Sequence, residues 1–176
     1  YIQRGTVLFF QGKFAEAVAD FDQSIARDPS LAEGHWQRGI ALYYAGRYAD
    51  SARQFERYHG HDAVDRENGV WRYLAQAAAF GPAKARREML RYEREDRPPL
   101  PDVYLLFAGR ATREDVFGRI QERTRSAQGD RPRQLFYANL YVGLHLASEK
   151  QPQAAQEYLR AATASAWGRQ ASGGPG

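Results

Sequence analysis

The chain has no cysteine, one methionine and only three lysines among its 25 basic residues. Without cysteine there are no disulfides, no thiol nucleophiles and no zinc–thiolate sites, but no compartment is assigned either. No apolar run approaches the ~18 residues that a transmembrane helix needs. No signal peptide is visible in this stretch either. The chain opens at Tyr1 rather than Met, inside a helical pattern, so it is expected to be a trimmed piece whose missing signal excludes no location. Nor is there a G-x-S-x-G, an H-E-x-x-H or a phosphate-binding glycine loop. The expectation is a protein that is not an enzyme and has no cofactor and no metal.

What is present is an ordinary globular composition, 43% hydrophobic and 26% charged over 176 residues. The net charge of +4 is modest, and arginine supplies 22 of the basic residues. Acidic residues are interspersed almost everywhere, which fits a GC-rich coding bias better than a nucleic-acid surface.

The stretch RGTVLFFQGKFAEAVADF (4–21) returns as RGIALYYAGRYADSARQF (38–55), identical at six of eighteen positions and offset by 34 residues without a gap. Each copy holds two helical patterns split by a glycine. Tyr1, Gly5 and Leu8 mark one face of the first helix, and Phe14, Ala17, Phe21 and Ile25 one face of the second. The second copy repeats this with His35, Gly39 and Leu42, then Tyr48, Ser51, Phe55 and Tyr58. Small residues at 5, 17, 39 and 51 allow close helix approach. Such a hairpin cannot bury its apolar surface alone, so copies must stack. Asp28-Pro29 closes the second helix, and Ser30 with Glu33 is expected to form a capping box for the next.

The rest is less regular. Residues 69–80 and 82–96 read as a degenerate hairpin broken at Gly81-Pro82, and 97–101 (RPPLP) as a stiff connector. Residues 102–109 suggest a short helix. Thr112 and Asp115 start another over 112–127, with Val116, Ile120 and Phe117 facing inward. After the QGDRP loop comes a third hairpin, in which Gly143, Leu146, Ala154, Tyr158 and Ala161 take the repeat roles with one residue fewer in the turn. ASGGPG is expected to be a flexible tail. The implied organisation is 1–68 two regular repeats, 69–131 a degenerate hairpin plus helical insert, 132–168 a third hairpin, and 169–176 tail.

The 34-residue period, with its fixed places for glycine, aromatic, small residue and proline, resembles the tetratricopeptide repeat. That resemblance implies an all-α, right-handed solenoid of stacked antiparallel hairpins. The order of W-x-YLA (71–75), VYLLFAGR (103–110) and F-Y-x-x-L-Y-x-G (136–143) is similar to the bacterial lipoprotein adaptors of the NlpI type. Their resemblance implies an envelope scaffold that docks proteases and peptidoglycan hydrolases, although no lipobox cysteine is present here. A homodimer stays open.

The first helix of the second copy has more apolar surface than its hairpin requires. Trp36, Ile40, Tyr43 and Tyr44, at i, i+4, i+7 and i+8, make a second face, matched in the first copy by Ile2, Thr6, Phe9 and Phe10. In tetratricopeptide proteins these positions line the concave groove. Left bare, so aromatic a surface costs solubility. Either a partner peptide or helix covers it, or the chain's own 102–127 insert or last hairpin does. Thr6 and Ile40 stand where a carboxylate clamp would need Asn, so a ligand would be held by apolar contact, with Arg4, Arg38 and Arg47 at the edges.

His59, His61 and Asp62, with Asp65 or Glu67, have the residue types to ligate zinc or nickel, but a solvated loop accounts for them more simply. Asp20 with Asp22, and Glu93 with Glu95, read as solvent faces, and His145 as a half-buried packing residue. The resulting expectation is a protein-binding scaffold. A helical-repeat nucleic-acid binder whose aromatics stack bases is the alternative, and an enzyme with a site in 97–135 the third reading.

Overall fold

A computed structural model describes residues 1–125, 130–165 and 167–169. Among them are ten α-helices and a 3-10 turn at Pro29–Leu31, with no strand. Among the described residues no helix is long and apolar enough to cross a membrane. The expected ASGGPG tail and the first two residues of the QGDRP loop lie outside the described residues. The chain divides into two compact units, Tyr1–Arg94 and Glu95–Gly176. The division falls inside the stretch 69–131, which the sequence grouped together.

The first unit holds α1 (Ile2–Phe10), α2 (Phe14–Arg27), α3 (Trp36–Tyr44), α4 (Tyr48–His61), α5 (Arg66–Phe80) and α6 (Pro82–Arg87). Helices α1 and α2 pair, as do α3 and α4, and α2 then packs on α3 and α4 on α5. The pairing is close because a side chain is missing. A Cβ at Gly5 would stand 2.8 Å from Phe21, and one at Gly39 would stand 2.6 Å from Phe55. Both phenylalanines are fully buried.

The second unit holds α7 (Leu100–Phe107), α8 (Arg113–Arg123), α9 (Arg131–Ser148) and α10 (Pro152–Ala164). Thr112 and Asp115 form the expected capping box. Val116 and Ile120 are buried, and Phe117 stacks on Tyr158 at 5.9 Å. Asp102 is buried and accepts from Arg119 at 2.9 Å and Arg123 at 2.6 Å, tying α7 to α8. His145 is half-buried against Phe107.

Four hairpins share one turn. Gly12, Gly46, Gly109 and Lys150 all adopt left-handed backbone, with φ of 72°, 76°, 69° and 60°. In each, the next residue's N–H bonds the carbonyl five back: Lys13 to Leu8, Arg47 to Leu42, Arg110 to Leu105 and Gln151 to Leu146, all at 2.9 Å. That is a Schellman ending, which satisfies carbonyls the helix leaves open.

Lys150 therefore stands in glycine's place, and the third hairpin's turn is not one residue short. A Cβ at Gly143 would meet Leu159 at 2.7 Å, sixteen residues on, as Gly5 meets Phe21 and Gly39 meets Phe55. Leu159 and Ala155, not Tyr158 and Ala154, occupy the repeat positions.

Three further expectations are corrected. Ser30 and Glu33 do not cap α3. Asp28 caps the 3-10 turn instead, accepting from the Ser30 N–H at 3.1 Å. His35 caps α3, its Nδ1 accepting from the Arg38 N–H at 3.3 Å. The second half of the degenerate hairpin is helical only over Pro82–Arg87, not to 96. Tyr73 stands where Gly5 and Gly39 stand in the earlier copies, so a long second helix cannot close on α5. Arg72 also takes the Glu88 carbonyl at the end of α6. Finally, the RPPLP connector runs directly into α7, with Leu100 buried in its first turn.

Candidate functional site

The structure divides the eight candidate groove residues into two sets. Ile2, Phe10, Trp36 and Tyr44 are exposed, at 42%, 63%, 46% and 50% of their surface. Thr6, Phe9, Ile40 and Tyr43 are half-buried, because those positions face the first helix of the next hairpin. The Thr6 hydroxyl donates to Gln37 Oε1 at 3.4 Å. Phe9 meets Trp36 edge-on at 6.2 Å, and Tyr43 meets Trp71 at 5.7 Å. Half of the apparent surplus is thus spent on stacking the hairpins, and the exposed four rest on it.

The rings form a continuous sequence. Phe10 and Phe14 flank Phe9 at 5.4 and 5.9 Å, Phe14 stacks on Tyr44 at 4.8 Å, and Tyr44 touches Tyr43 at 5.3 Å. Such edge and offset contacts hold aromatics in defined orientations. Burial raises the Tyr43 and Tyr44 phenols above their ordinary value, so both stay neutral hydrogen-bonding groups at physiological pH. Beside Trp36 lies a cleft of about 300 Å³ bounded by Ile2, Leu31, Gly34, His35, Gln37 and His61.

The sequence reading missed Phe14, Gln37, Tyr48 and Trp71 in this network. Phe14 and Tyr48 carried a signal, since they are aromatic at the same repeat position. Trp71 carried none, because its counterparts are Gln3 and Gln37.

The three edge arginines are not free. Arg4 holds buried Asp20 through Nε and Nη2, both at 2.6 Å, and keeps that carboxyl below its ordinary range. Arg38 bonds Asp22 at 2.6 Å and Gln54 at 2.7 Å, and Arg47 bonds Asp50 at 2.8 Å. A period emerges that the sequence reading overlooked. Arg4, Arg38 and Arg72 are spaced by 34, and each reaches sixteen residues forward, to Asp20, Gln54 and Glu88. Arg38 and Arg72 also reach sixteen residues back, to Asp22 and Glu56, crossing to the preceding hairpin.

His59 and His61 sit in the last turn of α4 rather than in a loop. His59 lies edge-on to Tyr92 at 4.9 Å, and His61 lies over Gly34. Asp62 accepts from the Val64 N–H, and Asp65 caps α5. The described residues hold no cluster of three metal-ligating groups. Asp20 and Asp22 are both taken by arginines of α1 and α3, so neither is a bare solvent carboxylate.

No family model matches the chain, and no curated protein matches it.

Proposed function

We propose that the chain is a docking adaptor that is not itself an enzyme, built as a tetratricopeptide-type right-handed solenoid, and that it holds a peptide or helix of a partner protein on the α1/α3 aromatic surface. The NlpI-type resemblance suggests a bacterial envelope complex as its setting. The observation that carries the reading is the exposed set Ile2, Phe10, Trp36 and Tyr44, seated on rings already fixed by stacking. Burying one such side chain is worth roughly 1.5–3 kcal/mol. Three or four could therefore hold a partner at about micromolar affinity after association costs.

The pairing of Arg4, Arg38 and Arg47 with carboxylates speaks against the nucleic-acid alternative, which needs unpaired cations along one groove. The test is a pull-down from native extract with the wild-type chain and a Phe10→Ala/Trp36→Ala variant as parallel baits, read by mass spectrometry. A protein recovered by the first and lost from the second supports the reading. Identical recoveries, or salt-sensitive capture of single-stranded oligonucleotides alone, would overturn it.

A further inference from the structure

Trp36 and Tyr44 are exposed although α3 is flanked on both sides, by α1 before it and α5 after it. An earlier hairpin in the same 34-residue period would stack on α1, as α1 stacks on α3, because each repeat contacts only its neighbours. The α3 side of the aromatic surface is therefore open whatever precedes Tyr1. The area it offers is small. Ile2, Phe10, Trp36 and Tyr44 leave about half of each side chain exposed, which comes to roughly 400 Å² at ~150–250 Å² for a whole aromatic side chain. A stable pair of folded proteins buries about 800 Å² on each partner. A short linear segment fits this surface, and a second copy of the chain does not.

At the Trp36 end lies the cleft of about 300 Å³, which is at the lower limit for a small-molecule site and has room for one side chain. Its chemistry is one-sided. His35 is 8% exposed and its Nδ1 accepts the Arg38 N–H, so Nε2 carries the proton. That buried donor has no partner among the described residues. The Thr6 hydroxyl takes the Gln37 amide oxygen, which leaves Gln37 its NH₂ as a donor. Trp36 adds an indole N–H, and His61 an imidazole that lies over Gly34. Among the described residues no carboxylate borders the cleft. The Asp28 carboxylate is engaged by Ser30, accepting from its N–H at 3.1 Å and its hydroxyl at 2.6 Å. A group that only accepts hydrogen bonds complements such a lining, and an ionised carboxylate is that group.

We propose that this cleft takes the side-chain carboxylate of an Asp or Glu in the partner segment, so that the α1/α3 surface selects an acidic residue set beside apolar or aromatic ones. The inference rests on the docking reading above and narrows it. Gln37 is the residue at which the choice can be reversed. A glutamate there still accepts from Thr6, but it replaces the NH₂ donor with an anionic oxygen.

The probes are phage-displayed random peptides, which carry no free carboxyl terminus, selected on the immobilised full chain with soluble Phe10→Ala/Trp36→Ala chain as competitor. The expected winners combine apolar or aromatic residues with an Asp or Glu at a fixed spacing. One winner is then made as a fluorescein-labelled peptide and titrated by anisotropy. Replacing its acidic residue with the matching amide is expected to weaken binding at least fivefold. Gln37→Glu is expected to weaken the acidic peptide at least tenfold and the amide peptide less than twofold, with the thermal melt of the chain unchanged. Winners without an acidic residue, or a Gln37→Glu chain that weakens both peptides alike, overturn the proposal and leave the docking reading standing. Failure to select any peptide, the outcome if the chain covers the surface itself, overturns both. So does concentration-dependent self-association of the wild-type chain that Phe10→Ala/Trp36→Ala abolishes, because a second copy would then own the surface.

Discussion

Phe55 lies on Gly39 so closely that a methyl group there would stand 2.6 Å from the ring. The same relation joins Phe21 to Gly5 and Leu159 to Gly143, always over sixteen residues. It sets the separation of the paired helices, and everything displayed on α1 and α3 depends on it.

Phe55→Ala is expected to destabilise by about 3–5 kcal/mol, through lost transfer energy plus a cavity. Gly39→Ala is expected to destabilise as well, by about 1–3 kcal/mol, because the added methyl must displace a ring with no free space around it. Denaturant midpoints measure both. Were Gly39→Ala neutral or stabilising, the close approach described here would be wrong.

Lys150 holds a backbone conformation that the other three hairpins give to glycine. An L-residue there is strained by roughly 1–2 kcal/mol. Lys150→Gly is therefore expected to raise stability by about 0.5–1 kcal/mol once the entropy of the freer unfolded chain is offset. Gly46→Ala, the converse change, should lower it. Thermal melts of the pair should move in opposite directions.

His35 makes stability depend on pH. Its Nδ1 accepts the Arg38 N–H and its ring lies 4.3 Å from Phe21, so the folded state needs the neutral imidazole. Burial first, and the Arg38 charge second, hold it below the ordinary 6.5, against a weaker upward pull from Asp22. As pH falls, the unfolded chain takes the proton first. The contribution is therefore complete above about pH 6.5 and is lost as pH drops below that value toward the folded one. His35→Asn keeps a capping acceptor and cannot titrate. Denaturant midpoints at pH 7.5 and 5.5 should fall less in the variant than in the wild type. Equal falls would remove His35 from the account.

The paired hairpins of 1–61 were legible because two copies, side by side, show which positions are fixed. The third hairpin was misread by one residue because Lys150 hides the turn that Gly12 and Gly46 announce. The capping box at Ser30 and Glu33 fits the pattern, but His35 lies nearer the helix and uses an imidazole nitrogen, which the pattern does not include. Of the candidate surface, Ile2, Phe10, Trp36 and Tyr44 were legible as exposed aromatic or apolar positions. The stacking of Phe9 and Tyr43 was not, since period alone does not say which neighbour a ring meets. The arginine ladder at 4, 38 and 72 was visible in the spacing and went unread, because pairing sixteen residues apart appears only once helices are folded back.

The division of the aromatic surface changes which variants probe it. Phe10→Ala with Trp36→Ala removes side chains that are about half exposed, and should shift the melting temperature by only a few degrees. Both Tyr43 and Tyr44 meet Trp71, at 5.7 and 6.1 Å, but Tyr43 is half-buried and Tyr44 exposed, so Tyr43→Ala should cost about 1–3 kcal/mol more than Tyr44→Ala. A comparison of the four single variants by thermal unfolding checks this ranking. A large loss at Phe10 would mean that the ring supports the fold rather than a partner.

The most direct test is an NMR titration of the nitrogen-15-labelled chain with the partner recovered by the pull-down. The account predicts that the indole Nε1–H of Trp36 and the amides of Phe10 and Tyr44 shift together and saturate with one affinity, while the Trp71 indole moves little. Shifts confined to residues 95–169, with Trp36 unmoved at saturation, would contradict it.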